Sequence, residues 1–488
     1  MHDLSIVVDL CQPEALKDFT RECRKQGCSG QISVCAPEDL GFKHYASVIQ
    51  APGLRHGAAL RQLLASASSR YLLFVFGAEG LEFRRGCFER LISAVGSHQT
   101  VLSYGAHFVQ DRSGETELQP LIDYQIGSLR DDFYFGPLVV VDVQAAHSVL
   151  STYGELVPHD FSGWYGLRLG LSLIGELMRV PDAFYGQKRS SDTNSEQEHF
   201  EYVDPKQESY QKQLEETFTK YAKLAGFYLT PRVERVSFDG DFPVEASVVV
   251  PVKDRVSTIS DALESALSQK ASFKFNVIVV DNHSSDGTTQ IVEDLARIHS
   301  NLVHIIPEAH DLGIGGCWNA ALQSRECGRF VLQLDSDDLY ISERVLETVV
   351  SKFRQEGAAV LVGSYKLVDK DLKEVPPGIV DHREWSDENG HNNALRINGF
   401  GAPRAFFAPA AREVGFPNVS YGEDYAVMLA LTRRYRLARI YEPLYLCRRW
   451  EGNSDATPSI TKLNGFNYYK DKVRTLEVYK RKTLNGML

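Results

Sequence analysis

The feature that most constrains this chain is that it says one thing twice. Arg70-Tyr71-Leu72-Leu73-Phe74-Val75-Phe76-Gly77-Ala78-Glu79-Gly80-Leu81 is matched by Gly328-Arg329-Phe330-Val331-Leu332-Gln333-Leu334-Asp335-Ser336-Asp337-Asp338-Leu339, a separation of 258 residues read from Leu81 to Leu339. Each is an apolar strand that enters a small-residue turn and continues into an amphipathic helix (Cys87 to Val95; Val345 to Phe353). A second match pairs Phe161-Ser162-Gly163-Trp164-Tyr165 with Tyr421-Gly422-Glu423-Asp424-Tyr425, 260 residues apart. A near-constant separation over so long a stretch predicts two copies of one domain. The copies differ in their acids. Asp335, Asp337 and Asp338 stand opposite Gly77, Glu79 and Gly80, and Glu423 and Asp424 stand opposite Gly163 and Trp164. The pattern predicts one working site and one retired site.

Each copy opens on a short β-branched run, Leu4 to Val8 and Ala246 to Val250, followed by a helical stretch (Pro13 to Gln26; Ser257 to Gln269) and a second strand (Ile32 to Cys35; Val277 to Val280). Strand, helix, strand in repetition is the mark of an α/β fold with a mostly parallel sheet. The expected division is a domain over 1–190, a linker over 191–243 and a second domain over 244–488 that includes a basic helical tail, Lys470 to Lys482, expected as a solvated face. The linker opens polar at Ser190-Ser191-Asp192 and contains an amphipathic helix, Gln207 to Ala225. Tyr210, Leu214, Phe218, Tyr221 and Leu224 share one face of that helix, expected as a packing face between the domains.

Bulk properties remove several function classes. The 488 residues are 43% apolar and 24% charged with a net charge of −11, an ordinary globular composition that argues against a nucleic-acid backbone as partner. No run of about 18 apolar residues predicts a membrane span. Met1-His2-Asp3-Leu4 enters a strand directly, without the basic region of a leader. The eight cysteines show no paired spacing and are expected as reduced core residues of a cytoplasmic protein.

The chemistry concentrates in the second copy. Asp335-Ser336-Asp337-Asp338 ends a strand at the sheet's carboxyl edge, where open α/β proteins place ligands. Three carboxylates within four residues repel one another, and a hard divalent cation shared with substrate phosphates offsets that repulsion; an acidic turn that merely caps the next helix is the alternative. Around it stand Pro251-Val252-Lys253-Asp254-Arg255, Val280-Asp281-Asn282-His283-Ser284, Leu312-Gly313-Ile314-Gly315-Gly316 and Tyr421-Gly422-Glu423-Asp424.

This succession, from Ala246 to about Trp450, resembles the family 2 glycosyltransferases of the GT-A fold. The resemblance implies two tandem GT-A-like domains, the first degenerate and non-catalytic. It also implies a metal-dependent hexosyltransferase that inverts the anomeric carbon and takes a nucleotide-sugar, usually a UDP-sugar, as donor. Carried over by position, Pro251, Lys253, Asp254 and Arg255 form the loop under the nucleoside, Asp281 with Asn282 meets the base, and Asp335 and Ser336 face the ribose side. Asp337, with Asp335, holds Mn2+ or Mg2+, and Asp424, with Glu423 beside it, is the general base. Cys447-Arg448-Arg449-Trp450 offers Arg448 and Arg449 to the diphosphate; Leu446 stands where processive synthases carry Gln. The acceptor, whether glycan, lipid-linked or protein, is left open, and a homo-oligomer through the N-terminal domain is a further expectation. Two other functions stay open at this point: a carbohydrate-binding scaffold with both sites inactive, and a nucleotidyltransferase.

Overall fold

A computed structural model describes residues 3–39, 41–97, 99–111, 113–158, 160–188, 208–231, 233–383, 385–450 and 459–487. The polar start of the expected linker, Ser190 to Glu196, lies outside the described residues. The chain forms two compact units, Met1–Tyr228 with Ser459–Leu488, and Leu229–Pro458.

The N-terminal unit is built on a seven-stranded sheet in the order Ser47–Gln50, Ile32–Ala36, Leu4–Val8, Tyr71–Val75, Leu138–Asp142, Thr100–Gly105, Glu176–Val180. Only Leu138–Asp142 runs antiparallel to its neighbours. Its inner strands are buried on both faces. Leu4, Ile6 and Val8 join a core with Phe19 and Leu91 of one helical layer, while Val7, Leu72 and Phe74 join Leu60, Leu64 and Leu167 of the other. Two-sided burial explains why these strands read as unbroken apolar runs.

The C-terminal unit repeats that plan. Its sheet runs Leu302–Ile305, Phe275–Asp281, Ala246–Val252, Phe330–Gln333, Arg404–Phe407, Val360–Asp369, Leu437–Arg449, Leu339–Tyr340, with Glu374–Val380 paired to Val360–Asp369. The fifth strand is again the one that runs antiparallel to both neighbours. Both units are thus mixed, mostly parallel α/β sheets of one topology, of the GT-A-like type that the resemblance implies.

The register refines the correspondence between copies. Tyr71 pairs with Asp142, the residue before the helix Val143–Thr152, and Phe330 pairs with Phe407, the residue before the helix Ala408–Val414. Aligned on these pairs, Asp335 falls on Phe76, Asp337 on Ala78 and Asp338 on Glu79, one residue from the match read in the sequence. The slip has a physical cause: from Phe76 to Gly80 the first copy's turn is one residue longer than Asp335 to Asp338, so the leucines beyond it align while the strands do not.

The helix Glu208–Leu224 belongs to the N-terminal unit, where Leu214, Phe218 and Tyr221 are buried and Tyr221 meets Ser172 of the helix Gly163–Ile174 at 3.1 Å. One expectation is corrected. The C-terminal helix Ile460–Leu484 is no solvated appendage of the second domain; it belongs to the N-terminal unit and buries Lys470, Asp471, Arg474 and Arg481 there. Asp471 accepts from Ser128 (2.9 Å), Arg130 (3.3 Å) and Arg474 (2.8 Å). Gly127 allows this approach, because a Cβ there would lie 2.1 Å from the Asp471 carbonyl oxygen. The sequence shows the charges of this helix but not the buried counter-charges that meet them.

None of the eight cysteines is in a disulfide; all are buried except Cys447, which is half-buried. No helix among the described residues is long and apolar enough to cross a membrane.

Candidate active site

The strands Ala246–Val252, Phe275–Asp281 and Phe330–Gln333 are parallel, so the residues after them share one edge. The antiparallel strand Arg404–Phe407 begins at that same edge. Parallel pairing therefore gathers Lys253-Asp254-Arg255, Asn282, the acid turn and Arg404 from four separate stretches of chain.

The acid turn is held from below. The backbone N–H of Asp335 donates to the Tyr445 hydroxyl (2.9 Å), and the Gln333 amide donates to both Asp335 carboxylate oxygens at 2.9 Å. Asp338 is 5% exposed and accepts from the Arg448 backbone N–H at 2.8 Å. Burial, with the neighbouring acids, pushes the Asp338 carboxyl well above the ordinary carboxylate range, and burial likewise raises that of Asp335. Asp337 faces outward, its side chain 14% exposed, with Arg255 Nε 3.9 Å away. The chemistry of this donor set fits a hard cation. Asp337 and Asp335 would hold it, with diphosphate oxygens completing the shell, since magnesium and manganese take few protein carboxylates. Among the described residues no group of three or more His, Cys, Asp or Glu side chains forms a closed metal cage.

The nucleoside corner corrects one reading. Asp281 is fully buried, and it accepts from Ser284 N–H (2.9 Å) and the Thr289 hydroxyl (2.5 Å), with His304 Nε2 at 3.6 Å. Although burial opposes it, the Thr289 and Ser284 hydrogen bonds hold its carboxyl below the ordinary range. Asp281 supports the loop, its two oxygens taken by Ser284 and Thr289. The Asn282 Nδ2 donates to Leu312 O at 2.7 Å, while its buried Oδ1 has no partner. Asp254 takes a left-handed φ of 52° and accepts from Ser285 N–H at 2.7 Å, leaving Lys253 exposed at the rim beside half-buried Pro251. Arg448 is 6% exposed: its Nε donates to the Asp337 carbonyl and its Nη1 to Asp261 (2.9 Å), so it braces the acid turn, while its buried Nη2 has no partner. Arg449 follows on the opposite face of the strand, half-buried.

The third corner is the start of the helix Glu423–Thr432, capped by Gly422 at a left-handed φ of 79°. Glu423 and Asp424 are its first two residues. Both occupy the end where the helix dipole favours negative charge. Glu423 is 7% exposed, and burial together with the Asp424 charge raises its carboxyl to about 8. Asp424 Oδ2 meets Arg404 Nη1 at 2.7 Å, with 19% and 20% of the two side chains exposed. The Arg404 backbone N–H in turn donates to Gln333 Oε1 at 3.2 Å. Asp335, Gln333, Arg404 and Asp424 thus form one connected polar chain. Arg404 and Gln333 were missed in the sequence; the one signal was a glutamine inside an otherwise apolar strand.

A family model described as glycosyl transferase family 2 matches residues 247–408. The Bacillus subtilis (strain 168) glycosyltransferase TuaG, named for teichuronic acid biosynthesis, is 30% identical over 189 residues, which are 38% of this chain and 72% of TuaG. The chain belongs to glycosyl transferase family 2. This family 2 chain is also 27% identical over 199 residues to the Escherichia coli UDP-Glc:alpha-D-GlcNAc-diphosphoundecaprenol beta-1,3-glucosyltransferase WfgD, across 40% of its own length and 72% of WfgD. A crystal structure of S. aureus TarS in complex with UDP-GlcNAc aligns with a TM-score of 0.38 at 24% identity, over 49% of this chain and 72% of that one. As a family 2 glycosyltransferase, the chain is an enzyme, which sets aside the scaffold and nucleotidyltransferase readings. The matched residues belong to the C-terminal unit.

Proposed function

We propose that the C-terminal unit is a metal-dependent, inverting hexosyltransferase that moves a sugar from a UDP-sugar to an acceptor hydroxyl, and that the N-terminal unit is a non-catalytic copy. The observation that carries this reading is the polar chain from Asp335 to Asp424, which joins a cation-compatible acid turn to an ionisable group at the same sheet edge. WfgD, whose name specifies UDP-Glc, supports the choice of donor class.

In this reading the diphosphate lies over the acid turn and the base lies against Asn282, whose Oδ1 accepts a hydrogen bond, with Pro251, Lys253, Asp254 and Arg255 beneath the nucleoside. Asp337 and Asp335 would hold a divalent cation, which would supply positive charge to the diphosphate leaving group. The acceptor oxygen attacks the anomeric carbon from the face opposite the diphosphate. As that bond forms, the bond to the leaving oxygen breaks, and the hydroxyl proton passes to Asp424, the general base. Glu423, buried beside it, keeps its own proton near neutrality. Ser336, 8% exposed within the turn, and Arg449 complete the donor side.

A donor screen tests the proposal. The protein is incubated with UDP-glucose, UDP-galactose, UDP-N-acetylglucosamine and GDP-mannose, with manganese or with a chelator. Manganese-dependent release of UDP from one UDP-sugar is the expected result; GDP release alone, or release undiminished by the chelator, would contradict it.

A further inference from the structure

Arg404 is the one cation in the site whose partner is the proposed base, and nothing in the family motifs announces it. Its Nη1 lies 2.7 Å from Asp424 Oδ2 and also donates to Gly401 O at 3.0 Å, so the guanidinium is fixed at two points. Its backbone N–H binds Gln333 Oε1, and the Gln333 amide spans both oxygens of Asp335. An arginine salt-bridged to a base poses a chemical problem, because an adjacent cation lowers a carboxylate's proton affinity. The pairing therefore helps transfer only if orientation outweighs lost basicity, and misplacement of a reacting group by about 1 Å can cost on the order of a hundredfold in rate.

The first copy provides a second, independent observation. With Tyr71 aligned on Phe330 and Asp142 on Phe407, the positions of Gln333, Asp335, Arg404 and Asp424 fall on Phe74, Phe76, Val139 and Trp164. All four polar residues are replaced together, and three of the replacements pack as rings, Phe74 and Phe76 lying 5.1 and 4.8 Å from Trp164. Where the base is absent, the arginine and the glutamine that link it to the acid turn are absent too.

We propose that Arg404 is a positioning residue for transfer: by holding Oδ2 of Asp424 it presents Oδ1 to the acceptor hydroxyl, and through Gln333 it fixes that carboxylate relative to Asp335 on the donor side. This rests on Asp424 being the base. The groups that face Asp424 are Arg404 from the strand Arg404–Phe407 and Glu423 from its own helix, while Arg404 is itself faced by Asp335 and Tyr445 from the acid-turn side.

The test uses the full chain as wild type, Arg404→Gln, Arg404→Lys and Asp424→Asn. Turnover is measured on the donor that the four-donor screen consumes fastest. At pH 7 kcat is expected to fall roughly tenfold to a hundredfold in Arg404→Gln with KM for the donor within twofold. Arg404→Lys is expected to restore part of kcat. An undiminished kcat in Arg404→Gln overturns the proposal, as does a loss confined to donor KM, which would make Arg404 a donor contact. Should Arg404→Gln lose its cooperative melting transition, Arg404→Lys decides: a kcat lowered threefold or more with donor KM within twofold supports the orienting role, and an undiminished kcat overturns it. Failure of the underlying reading looks different, because an active Asp424→Asn removes the base assignment whatever Arg404 does.

Discussion

The same corner of the same sheet is polar in one unit and aromatic in the other. In the C-terminal unit Gln333, Asp335, Arg404 and Asp424 form a hydrogen-bonded chain at the carboxyl edge. In the N-terminal unit Phe74, Phe76 and Trp164 fill the corresponding space with packed rings. Strand order and direction are otherwise preserved. The difference teaches that this fold does not depend on its site: the scaffold persists when four polar positions become apolar, so function resides in a handful of side chains at one edge. The units also use charge differently. The N-terminal unit sinks Arg130, Asp471 and Arg474 into a closed internal network, whereas the C-terminal unit keeps Asp337 and Asp424 partly exposed at the sheet edge.

The comparison can be broken most severely at Asp337. Asp337→Ala is expected to abolish manganese-dependent donor binding while leaving the melting temperature close to wild type, since the residue lies on the outer side of a turn. Calorimetry with UDP and manganese checks this, and unchanged affinity would move the metal assignment elsewhere. Asp424→Asn follows. It keeps the side-chain size and a hydrogen-bond acceptor for Arg404 but removes the proton acceptor, so donor binding should survive while turnover drops by roughly 10²–10⁴. Near-normal turnover would point to Glu423 or to a group outside this corner, and the contrast with Trp164 would lose its meaning.

Much of this was legible in the chain because the informative residues are neighbours in sequence. The acid turn, Glu423-Asp424 and the strand–helix–strand succession each occupy a few consecutive positions, and their repetition makes the fold class readable. Contacts across long separations were not legible. Arg404 reaches Asp424 only because an antiparallel strand begins where its parallel neighbour ends. The tail helix joins the N-terminal unit through Asp471 and Ser128, with the whole second unit between them in the chain. Asp281 looked like a ligand because strand-end acids often are, yet Thr289 and Ser284 occupy its oxygens. Hydrogen-bond saturation is a property of three-dimensional neighbours, and no spacing rule reports it.

The next effect is on stability and should be confined to the N-terminal unit. Asp471 is fully buried between Arg130 and Arg474. Asp471→Ala leaves two guanidinium groups buried without that carboxylate, a loss expected to destabilise the unit by about 3–5 kcal/mol. Denaturant unfolding followed by hydrogen exchange should show amides of the strands Leu4–Val8 and Tyr71–Val75 losing protection before those of Ala246–Val252. Uniform loss in both units, or none, would refute the claim that the tail's charges belong to the N-terminal core.

The smallest expected effect separates the two units by pH. Glu423 is buried beside Asp424, and its carboxyl is raised to about 8, whereas an unfolded glutamic acid titrates near 4.3. Between those two values the unfolded chain has lost this proton while the folded chain keeps it. Stability falls with rising pH wherever the folded state binds more protons, so this group lowers stability progressively from about pH 4.5 to about pH 8 and contributes no difference below that window. Glu423→Gln removes the titration while keeping a neutral hydrogen-bonding group of nearly equal size. Metal-free Glu423→Gln should therefore melt above wild type at pH 7.5 and level with it at pH 4. The gain should appear in the transition of the C-terminal unit alone, because the matching position of the first copy is Gly163, which has no side chain to ionise. A pH-independent difference would mean that Glu423 is ionised in the folded protein and stands beside Asp424 as a second charge.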